Sequence, residues 1–178
     1  WYGTLSYSYS KAEGVDPREE RGEYYPWDFD YENVFTLVGG YKFKFIKSKW
    51  YQKFRNSFVF PYISWVPFMV SDQLELSFRY SYSGGRPYTP KVYDFHHRLW
   101  YVDPSADYNT SRYGYYSRLD IMILRRFNFK KINITTFVDL QNIFDRNNEW
   151  DQVYLDDGTI EMAYQYKQLP IGGIIIEL

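Results

Sequence analysis

The sequence predicts an all-β protein, an antiparallel segment of about six strands that belongs to a larger transmembrane β-barrel. Apolar and polar residues alternate with a period of two along most of the chain, and sustained helical periodicity is almost absent. Aromatic residues make up 23% of the 178 residues, while the mean hydropathy is only −0.55. No apolar run reaches the ~18 residues of a membrane-spanning helix. Together these features favour strands over helices.

The first half of the chain contains three predicted strands, at residues 1–10, 33–46 and 72–83. In each, bulky residues alternate with small or polar ones, which gives the strand one apolar and one polar face. The third is the most regular, from Leu74 to Tyr82 on its apolar side. In the second, Gly39-Gly40 predicts a bend or bulge in mid-strand.

The second half contains three more predicted strands, at residues 117–129, 132–144 and 169–178. The first two alternate in the same way, but Arg125 places one charge on the apolar register. The last contains glycine and is mostly isoleucine. A connection of only Lys130-Lys131 between the first two predicts a tight turn.

Alternation alone does not say whether the apolar face meets a protein core or lipid. Each strand has room for the ~9–11 residues that a tilted strand needs to cross a bilayer. Aromatic residues crowd the strand ends, as the aromatic girdles of a membrane barrel require. These girdle candidates are Trp1, Tyr31, Tyr41, Phe45, Tyr80, Tyr82, Phe127, Phe129 and Phe144. Length and aromatic placement therefore favour the membrane.

The connections follow the same pattern. Long polar loops at 12–32, 84–116 and 145–168 fall on one side of the sheet, and the Lys130-Lys131 turn falls on the other. Outer-membrane barrels have long external loops and short periplasmic turns. The long connection at 47–71 is an exception, for which we expect a short amphipathic helix at the membrane interface that bears Trp50, Phe54 and Phe58. An ordinary packed loop is the alternative.

Several runs in the second half of the chain form a fairly specific set. They are Arg118-Leu119-Asp120, Arg125-Arg126-Phe127, the run from Phe137 to Arg146, the end from Gln168 to Leu178, and Asp72 to Ser77 followed by Tyr82 to Pro90. This set resembles the C-terminal barrel strands of TonB-dependent outer-membrane receptors. The resemblance covers about the last hundred residues, and it departs from the family at the connection 47–71 and at Leu178, where the family usually ends in Phe.

The resemblance implies energy-coupled uptake of a bulky, scarce nutrient, such as a ferric siderophore, cobalamin or a glycan, across a bacterial outer membrane. Barrels of that family have 22 strands, so six strands do not close, and we expect this chain to be the C-terminal part of a barrel. The remaining strands, the plug domain and the segment that engages the TonB-type energy-transducing protein are then supplied from elsewhere. Lipid and a surface lipoprotein are further expected partners.

Polar side chains on the expected lumen face are candidates for ion-paired ladders between strands or for the wall of the transport path. They are Arg79, Arg118, Asp120, Arg126, Asp139 and Gln141. The ladder is the favoured interpretation of this set.

An aromatic and basic cluster in the second long loop is the candidate ligand-binding site, because such residues stack on sugars or aromatic siderophores and attract anions. Its members are Arg86, Tyr88, Tyr93, His96, His97, Arg98, Trp100 and Tyr101. Self-packing of the loop is the alternative. We expect no metal at His96-His97, since neighbours in an extended strand point to opposite faces. Asp156-Asp157-Gly158 is expected to be a turn.

Other classes are disfavoured. The 21 Lys and Arg against 22 Asp and Glu give a net charge of −1, which argues against nucleic-acid binding. The chain has no Cys, and it carries no catalytic or phosphate-binding motif, so we expect neither an enzyme nor a cofactor. Two alternatives stay open: an outer-membrane barrel that is a scaffold or adhesin subunit of a complex, and a soluble carbohydrate-binding β-domain.

Overall fold

The computed structural model describes residues 1–15, 22–64, 66 and 69–178. Parts of the predicted connections at 12–32 and 47–71, namely residues 16–21, 65, 67 and 68, therefore lie outside the described residues. The chain is mostly antiparallel β, with 52% strand and 8% helix. Six long strands form one sheet: β1 (Tyr2–Tyr9), β2 (Asn33–Phe43), β3 (Gln73–Ser83), β4 (Tyr116–Asn128), β5 (Asn133–Gln141) and β6 (Leu169–Glu177). The all-β prediction is confirmed.

Each strand of this sheet pairs with its neighbour in sequence, so the sheet is an up-and-down meander. Successive connections between strands therefore lie at alternate ends of the sheet. The first loop (residues 10–32, of which 10–15 and 22–32 are described), the second loop (84–115) and the third loop (142–168) begin and end at one end of the sheet, which we call the loop end. The helical segment (residues 44–72, of which 44–64, 66 and 69–72 are described) and the turn after β4 lie at the opposite, helical end. The predicted division between long loops and the short turn is thus confirmed.

Two predicted strands, 33–46 and 132–144, end three residues earlier in the structure. Phe45 lies in a 3₁₀ turn, Phe45–Lys47, beyond the end of β2. Phe144 lies in the turn after β5 and is 75% exposed. Both are aromatic residues that the sequence placed on strands, because alternation continues past the point where a chain leaves the sheet.

The bulge predicted at Gly39-Gly40 is wrong, because β2 pairs with β3 through both residues without a shift in register. Glycine is needed there for another reason. A Cβ on Gly39 would lie 2.7 Å from the ring of Phe78, and one on Gly40 would lie 2.7 Å from Cζ of Tyr2. The two glycines therefore make room for aromatic rings of the neighbouring strands, as happens in other sheets.

The two faces of the sheet differ in character. The register aligns bulky apolar residues of β1 to β6 on one side, which we call the apolar face, and the opposite side is polar. Leu5, Phe78 and Ile174 on the apolar face are 65%, 40% and 69% exposed. The accessible surface of the chain is 12933 Å², whereas a compact protein of this mass exposes about 9,200 Å². The sheet does not cover its own apolar face.

The helical segment contains the predicted helix, α1 (Lys49–Arg55), and a second short helix, α2 (Phe60–Ile63). The three aromatic residues expected on this helix differ in burial, and only Phe54 packs against the core. Trp50 is exposed, and Phe58 lies beyond α1 and is also exposed. The small core at this end consists of three buried aromatic residues and the partly buried hydrophobic residues that pack against them: Tyr51, Phe60 and Phe127, with Phe45, Phe54, Val70 and Ile134.

This core explains the one charge on the apolar register. Arg125 is only 3% exposed, and its guanidinium donates to the backbone carbonyls of Val66 and Met69. The helical segment thus lies over the apolar face at the helical end of the sheet, where it covers the guanidinium of Arg125. A buried guanidinium needs acceptors for its donors, and the carbonyl oxygens provide them.

Asp72 ties the segment to the sheet. Its buried carboxylate pairs with Arg55 at 2.9 Å, accepts the hydroxyl of Tyr51 at 3.0 Å and accepts the backbone N–H of Asn128 at 2.6 Å. None of the helices in the described part of the chain has the length and hydropathy of a membrane-spanning helix.

Candidate functional site: the loop end and the polar face

An ion pair clamps the first loop onto the second. Asp30 has a fully buried side chain, and its Oδ2 lies 2.6 Å from the guanidinium of Arg112. The same guanidinium donates to the carbonyls of Asp30 and Gly85, and the N–H of Ala12 donates to Asp30 Oδ1 at 3.0 Å. Burial raises the pKa of Asp30, but the hydrogen bonds from Ala12 and Arg112 outweigh it, so the net pKa is lowered.

Asn109 forms a second bridge between these loops. Its side-chain amide donates to the carbonyl of Pro26 and to the carboxylate of Asp28, both at 2.8 Å. Its backbone has φ of 58°, a conformation that Asn adopts more readily than most residues. The residue is only 3% exposed. The bridge holds Tyr108 next to the first loop.

Two hollows lie on either side of an aromatic pair between the loops. The rings of Tyr25 and Tyr108 meet edge to face, with centroids 4.9 Å apart. One hollow, of about 450 Å³, is lined by both tyrosines together with Glu23, Tyr24 and Asp107 among others. The other, of about 330 Å³, is also lined by both tyrosines. Its other lining residues include Trp27, Asp28 and Phe29.

The lining of these hollows combines aromatic faces with carboxylates. Aromatic faces stack on the apolar face of a sugar ring or another flat group, and carboxylates accept hydrogen bonds from hydroxyl groups. The same carboxylates repel an anionic ligand. The hollows therefore suit a neutral, hydroxyl-rich ligand better than an anionic one.

The sequence interpretation treated this region as a long polar loop and missed it. The run from Tyr24 to Tyr31 contains five aromatic residues and two aspartates in eight positions. That density of aromatic residues in a loop is a signal of ligand or partner contact. The sequence gives no indication that Tyr108 belongs to the same site, because Tyr108 lies 83 positions further along the chain than Tyr25.

The residues of the predicted ligand cluster in the second loop differ in their contacts. Arg86 lies between the rings of Tyr113 and Trp150, at 5.1 and 5.5 Å from their centroids, and donates to the carbonyl of Trp150. The ring of Tyr88 packs against that of Tyr113 at 4.5 Å. Burial and the acceptor Asp151 raise the pKa of Tyr113 to about 12. These contacts join the second and third loops.

Arg86 also borders a hollow of about 220 Å³ where the three loops meet. Tyr31 of the first loop, Tyr116 at the start of β4 and Glu149 of the third loop line it as well. Glu149 accepts the backbone N–H of Gly114 at 2.6 Å. Tyr116 lies on the polar face, so this hollow opens between the loops and that face.

Tyr93 and Trp100 belong to a hairpin of the second loop, Lys91–Asp94 paired with Leu99–Val102. Both pack against a hairpin of the third loop, Glu149–Tyr154 paired with Ile160–Tyr164. The indole of Trp100 donates to the carbonyl of Leu155 at 2.8 Å, and the hydroxyl of Tyr93 donates to the carbonyl of Asp156. Loop packing therefore accounts for these two side chains.

His96, His97 and Arg98 lie in the turn of the second-loop hairpin, so the expectation of an extended strand there is wrong. The histidine rings lie 4.9 Å apart, and His97 Nδ1 is 2.5 Å from Oδ2 of Asp94. Within the described residues no three His, Cys, Asp or Glu side chains are grouped as metal ligands. Tyr101 follows on the hairpin and is 48% exposed.

The turn predicted at Asp156-Asp157-Gly158 is confirmed. Gly158 has φ of 87°, and Asp157 accepts the backbone N–H of Thr159 at 2.9 Å. A Cβ at Gly158 would lie 2.7 Å from the Tyr93 ring, so glycine also permits the two hairpins to meet.

The six polar residues predicted for the lumen do share the polar face of the sheet. Four of them border one hollow of about 180 Å³: Arg79, Asp120, Asp139 and Gln141. The strongest ion pair differs from the expected ladder between strands. Arg118 binds Asp120 of its own strand through two bonds of 2.6 and 2.8 Å. Residues two apart on a strand share a face, so this pair needs no neighbouring strand.

The other members of the set differ in their contacts. Gln141 donates to Asp139 at 3.0 Å, again within one strand. Arg126 donates to Thr135 of β5 and lies 3.6 Å from Glu177 of β6, which is the one long-range pair of opposite charges in this set among the described residues. Asp120 also accepts the N–H of Asn142, which ties β4 to the turn after β5.

Asn142 organises the start of the third loop. It is 1% exposed, with φ of 51°, and its side-chain amide donates to the carbonyls of Arg146 and Tyr166. Asn148, also 1% exposed, accepts the N–H of Ser117. Asn142 and Asn148 thus hold the third loop against the strands.

No family model, curated protein or solved structure matches this chain. The fold and the geometry of the loop end therefore carry the argument about function.

Proposed function

We propose that this chain forms part of the wall and the external mouth of an outer-membrane barrel for TonB-dependent nutrient uptake. The observation that carries the proposal is the six-stranded meander with a broad, exposed apolar face and a polar face opposite. Soluble monomers rarely expose an apolar patch larger than a few hundred Å². In a membrane barrel, apolar residues that face lipid alternate along each strand with polar residues that face the lumen, so lipid would cover the apolar face.

The two outer strands support a barrel larger than six strands. Within the described residues, β1 and β6 each pair on one side only. Unpaired backbone groups are not tolerated in the hydrocarbon region of a bilayer. In our proposal further strands pair with both edges and complete a closed wall, and a plug domain occupies the lumen beside Arg79, Asp120 and Asp139.

The loop end supports a ligand mouth. Three loops are joined there by ion pairs and aromatic stacking, and they enclose hollows lined by aromatic and acidic residues. A bulky, neutral, hydroxyl-rich nutrient fits that lining better than an anionic chelate does. The soluble carbohydrate-binding alternative shares this site, but it requires the apolar face to be covered by protein.

Adjacent residues on opposite faces of β4 give a matched test of membrane insertion. Ile123 lies on the apolar face between Leu76 and Val138, and Met122 lies on the polar face between Ser77 and Asp139. An arginine facing lipid at mid-bilayer costs about 2–4 kcal/mol, so we expect Ile123→Arg to reduce assembly into the outer membrane. Met122→Arg, next to acidic residues, is expected to assemble normally.

The measurement is the amount of folded protein in outer-membrane fractions, followed by ligand uptake with and without the proton-motive force. Uptake that needs both this protein and the proton-motive force supports transport. Equal assembly of the two variants, or recovery of the protein in solution without detergent, overturns the membrane proposal. Correct assembly without energy-dependent uptake leaves the scaffold or adhesin alternative in its place.

A further inference from the structure

We propose that the helical segment (residues 44–72) is a membrane-interface anchor that binds anionic phospholipid headgroups beside the barrel wall. The inference rests on the proposed membrane location of the sheet. It adds a second lipid contact, at the helical end, which differs from the strand faces in its geometry and in its charge.

The segment lies on the apolar side of the sheet. Phe60 of α2 packs against Phe127 of β4, with ring centroids 6.2 Å apart, and Phe127 belongs to the apolar register. The carbonyls of Val66 and Met69 accept the guanidinium of Arg125 on the same register. A barrel whose apolar face meets lipid therefore carries this segment on its outer surface, at the edge of the lipid-facing band.

An aromatic run continues from the sheet into the segment. The rings of Tyr41 and Phe43, both on the apolar face of β2, lie 4.5 Å apart. Phe45 stacks on Phe43 at 5.8 Å, and Trp50 of α1 meets Phe45 at 6.0 Å. Amphipathic aromatic rings, Trp and Tyr above all, are favoured at the headgroup level of a bilayer. The run leads from the sheet to α1 without a polar break.

The outer surface of the segment has the composition of an interfacial helix. Its core is filled by the buried residues Tyr51 and Phe60, yet large apolar side chains remain exposed. Trp50 is 55% exposed, Phe58 83% and Tyr62 64%. The rings of Phe58 and Tyr62 lie 5.5 Å apart and form one exposed pair. Exposed aromatic residues beside lysines are typical of segments that lie in the headgroup region.

The charge of the segment selects the occupant. Between Glu32 and Asp72 the chain has no acidic residue, and it carries Lys42, Lys44, Lys47, Lys49, Lys53 and Arg55. Arg55 is neutralised by Asp72, and Lys42 lies 3.3 Å from Glu75. Lys47, Lys49 and Lys53 are exposed. A cationic surface with exposed aromatic residues is complementary to phosphate headgroups over acyl chains.

Single cysteines test the anchor, since the chain contains no native Cys. We choose Phe58→Cys on the segment, Leu76→Cys on the apolar face and Phe95→Cys in the second-loop hairpin. Phe58 and Phe95 are similarly exposed, at 83% and 78%. Each variant of the full protein carries a nitroxide label in vesicles of phosphatidylethanolamine and phosphatidylglycerol. Accessibility to lipid-soluble oxygen and to a water-soluble nickel chelate then reports the depth of each label.

We expect the label at position 58 to lie at headgroup depth, the label at 76 to lie deeper and the label at 95 to lie in water. If position 58 is as accessible to nickel as position 95 while position 76 stays in lipid, the anchor proposal is wrong but the proposed membrane location of the sheet is supported. If position 76 is also in water, the proposed function fails first. Protection of position 58 from both reagents would indicate a protein partner and would also overturn the anchor.

The lysines provide the headgroup test. A variant with Lys47→Gln, Lys49→Gln and Lys53→Gln keeps every buried contact of the segment, because these side chains are exposed. We expect its preference for spin-labelled phosphatidylglycerol over phosphatidylcholine to fall about fivefold for each lysine removed. Lys130→Gln and Lys131→Gln, in the turn at the same end, give the matched control. An unchanged preference in the triple variant would overturn the headgroup contact.

Discussion

The loop end and the helical end of the sheet both bury charged side chains, but they stabilise them in different ways. At each end a fully buried aspartate pairs with a partly exposed arginine: Asp30 with Arg112, 30% exposed, and Asp72 with Arg55, 22% exposed. The helical end adds a small aromatic core beside Asp72, where Arg125 is 3% exposed and is bound by backbone carbonyls. The loop end is therefore a polar assembly, whereas the helical end joins its ion pair to a small dry core.

This difference has a consequence for function. Contacts that share their donors with water open at a modest cost in free energy, which suits loops that admit a ligand. A dry core opens only with the loss of its packing, which suits a segment that fixes the lower edge of a wall. Removing the contacts of Asp72 at the helical end and those of Arg112 at the loop end tests this difference.

The largest effect is expected for Asp72→Ala. The change removes the acceptor of three hydrogen bonds and leaves Arg55 without its partner beside an aromatic core. Removing one partner of a buried ion pair costs about 3–5 kcal/mol. We expect a decrease of this size in the free energy of unfolding, measured by urea titration of the protein in detergent. Lys130→Ala, in the exposed turn of the same end, is the control and should change it by less than about 0.5 kcal/mol. Similar values for both variants would contradict the dry core.

A smaller and more local effect is expected for Arg112→Gln. The shorter amide does not reach all of Asp30, Glu32 and the two carbonyls that the guanidinium binds. The loss of charged hydrogen bonds costs about 2 kcal/mol. Protease cleavage within the first loop should rise about thirtyfold at constant global stability. Arg98→Gln, in the exposed hairpin turn, should leave the cleavage rate unchanged, and an equal rise in both variants would exclude a specific clamp.

The smallest effect is expected from pH. The folded pKa of Asp30 is below its unfolded value, near 3.9, so the clamp contributes its full stability above that value. The contribution falls as the pH drops through the folded pKa. Nitroxide labels at Phe29→Cys and Phe95→Cys should keep one distance from pH 7 down to about 4 and spread to longer distances only as the pH falls further, through the lowered folded pKa of Asp30. In the background Asp30→Asn the distance distribution should no longer depend on this pH interval.

The sheet was predictable from the sequence because its signal is periodic. Alternate residues of a strand face opposite sides, so the predicted strands at 72–83 and 117–129 differ from β3 and β4 by at most one residue at each end. The same periodicity placed Arg79, Asp120 and Asp139 on one face. It also overran the ends of β2 and β5, where the chain turns while the alternation continues.

The loop contacts were not predictable, because they join residues far apart in sequence and follow no period. Trp100 and Leu155, or Arg112 and Asp30, meet only after the sheet has brought their loops to one end. The hydrogen bonds of Arg125 could not be predicted for the same reason, because their acceptors, the carbonyls of Met69 and Val66, lie 56 and 59 residues away in sequence. Three residues of the predicted loop cluster, Arg86, Tyr93 and Trp100, instead join the second loop to the third.

The pairing of glycines with aromatic rings has a mechanical consequence. Tyr2 lies over Gly40, Phe78 over Gly39 and Phe137 over Gly173, which places one such pair at three of the five strand interfaces. A slip of two residues would keep each ring on its face, but it would move Phe78 onto Leu37 or Tyr41 and Phe137 onto Ile171 or Ile175. Each ring therefore opposes sliding of its strand along the neighbouring strand.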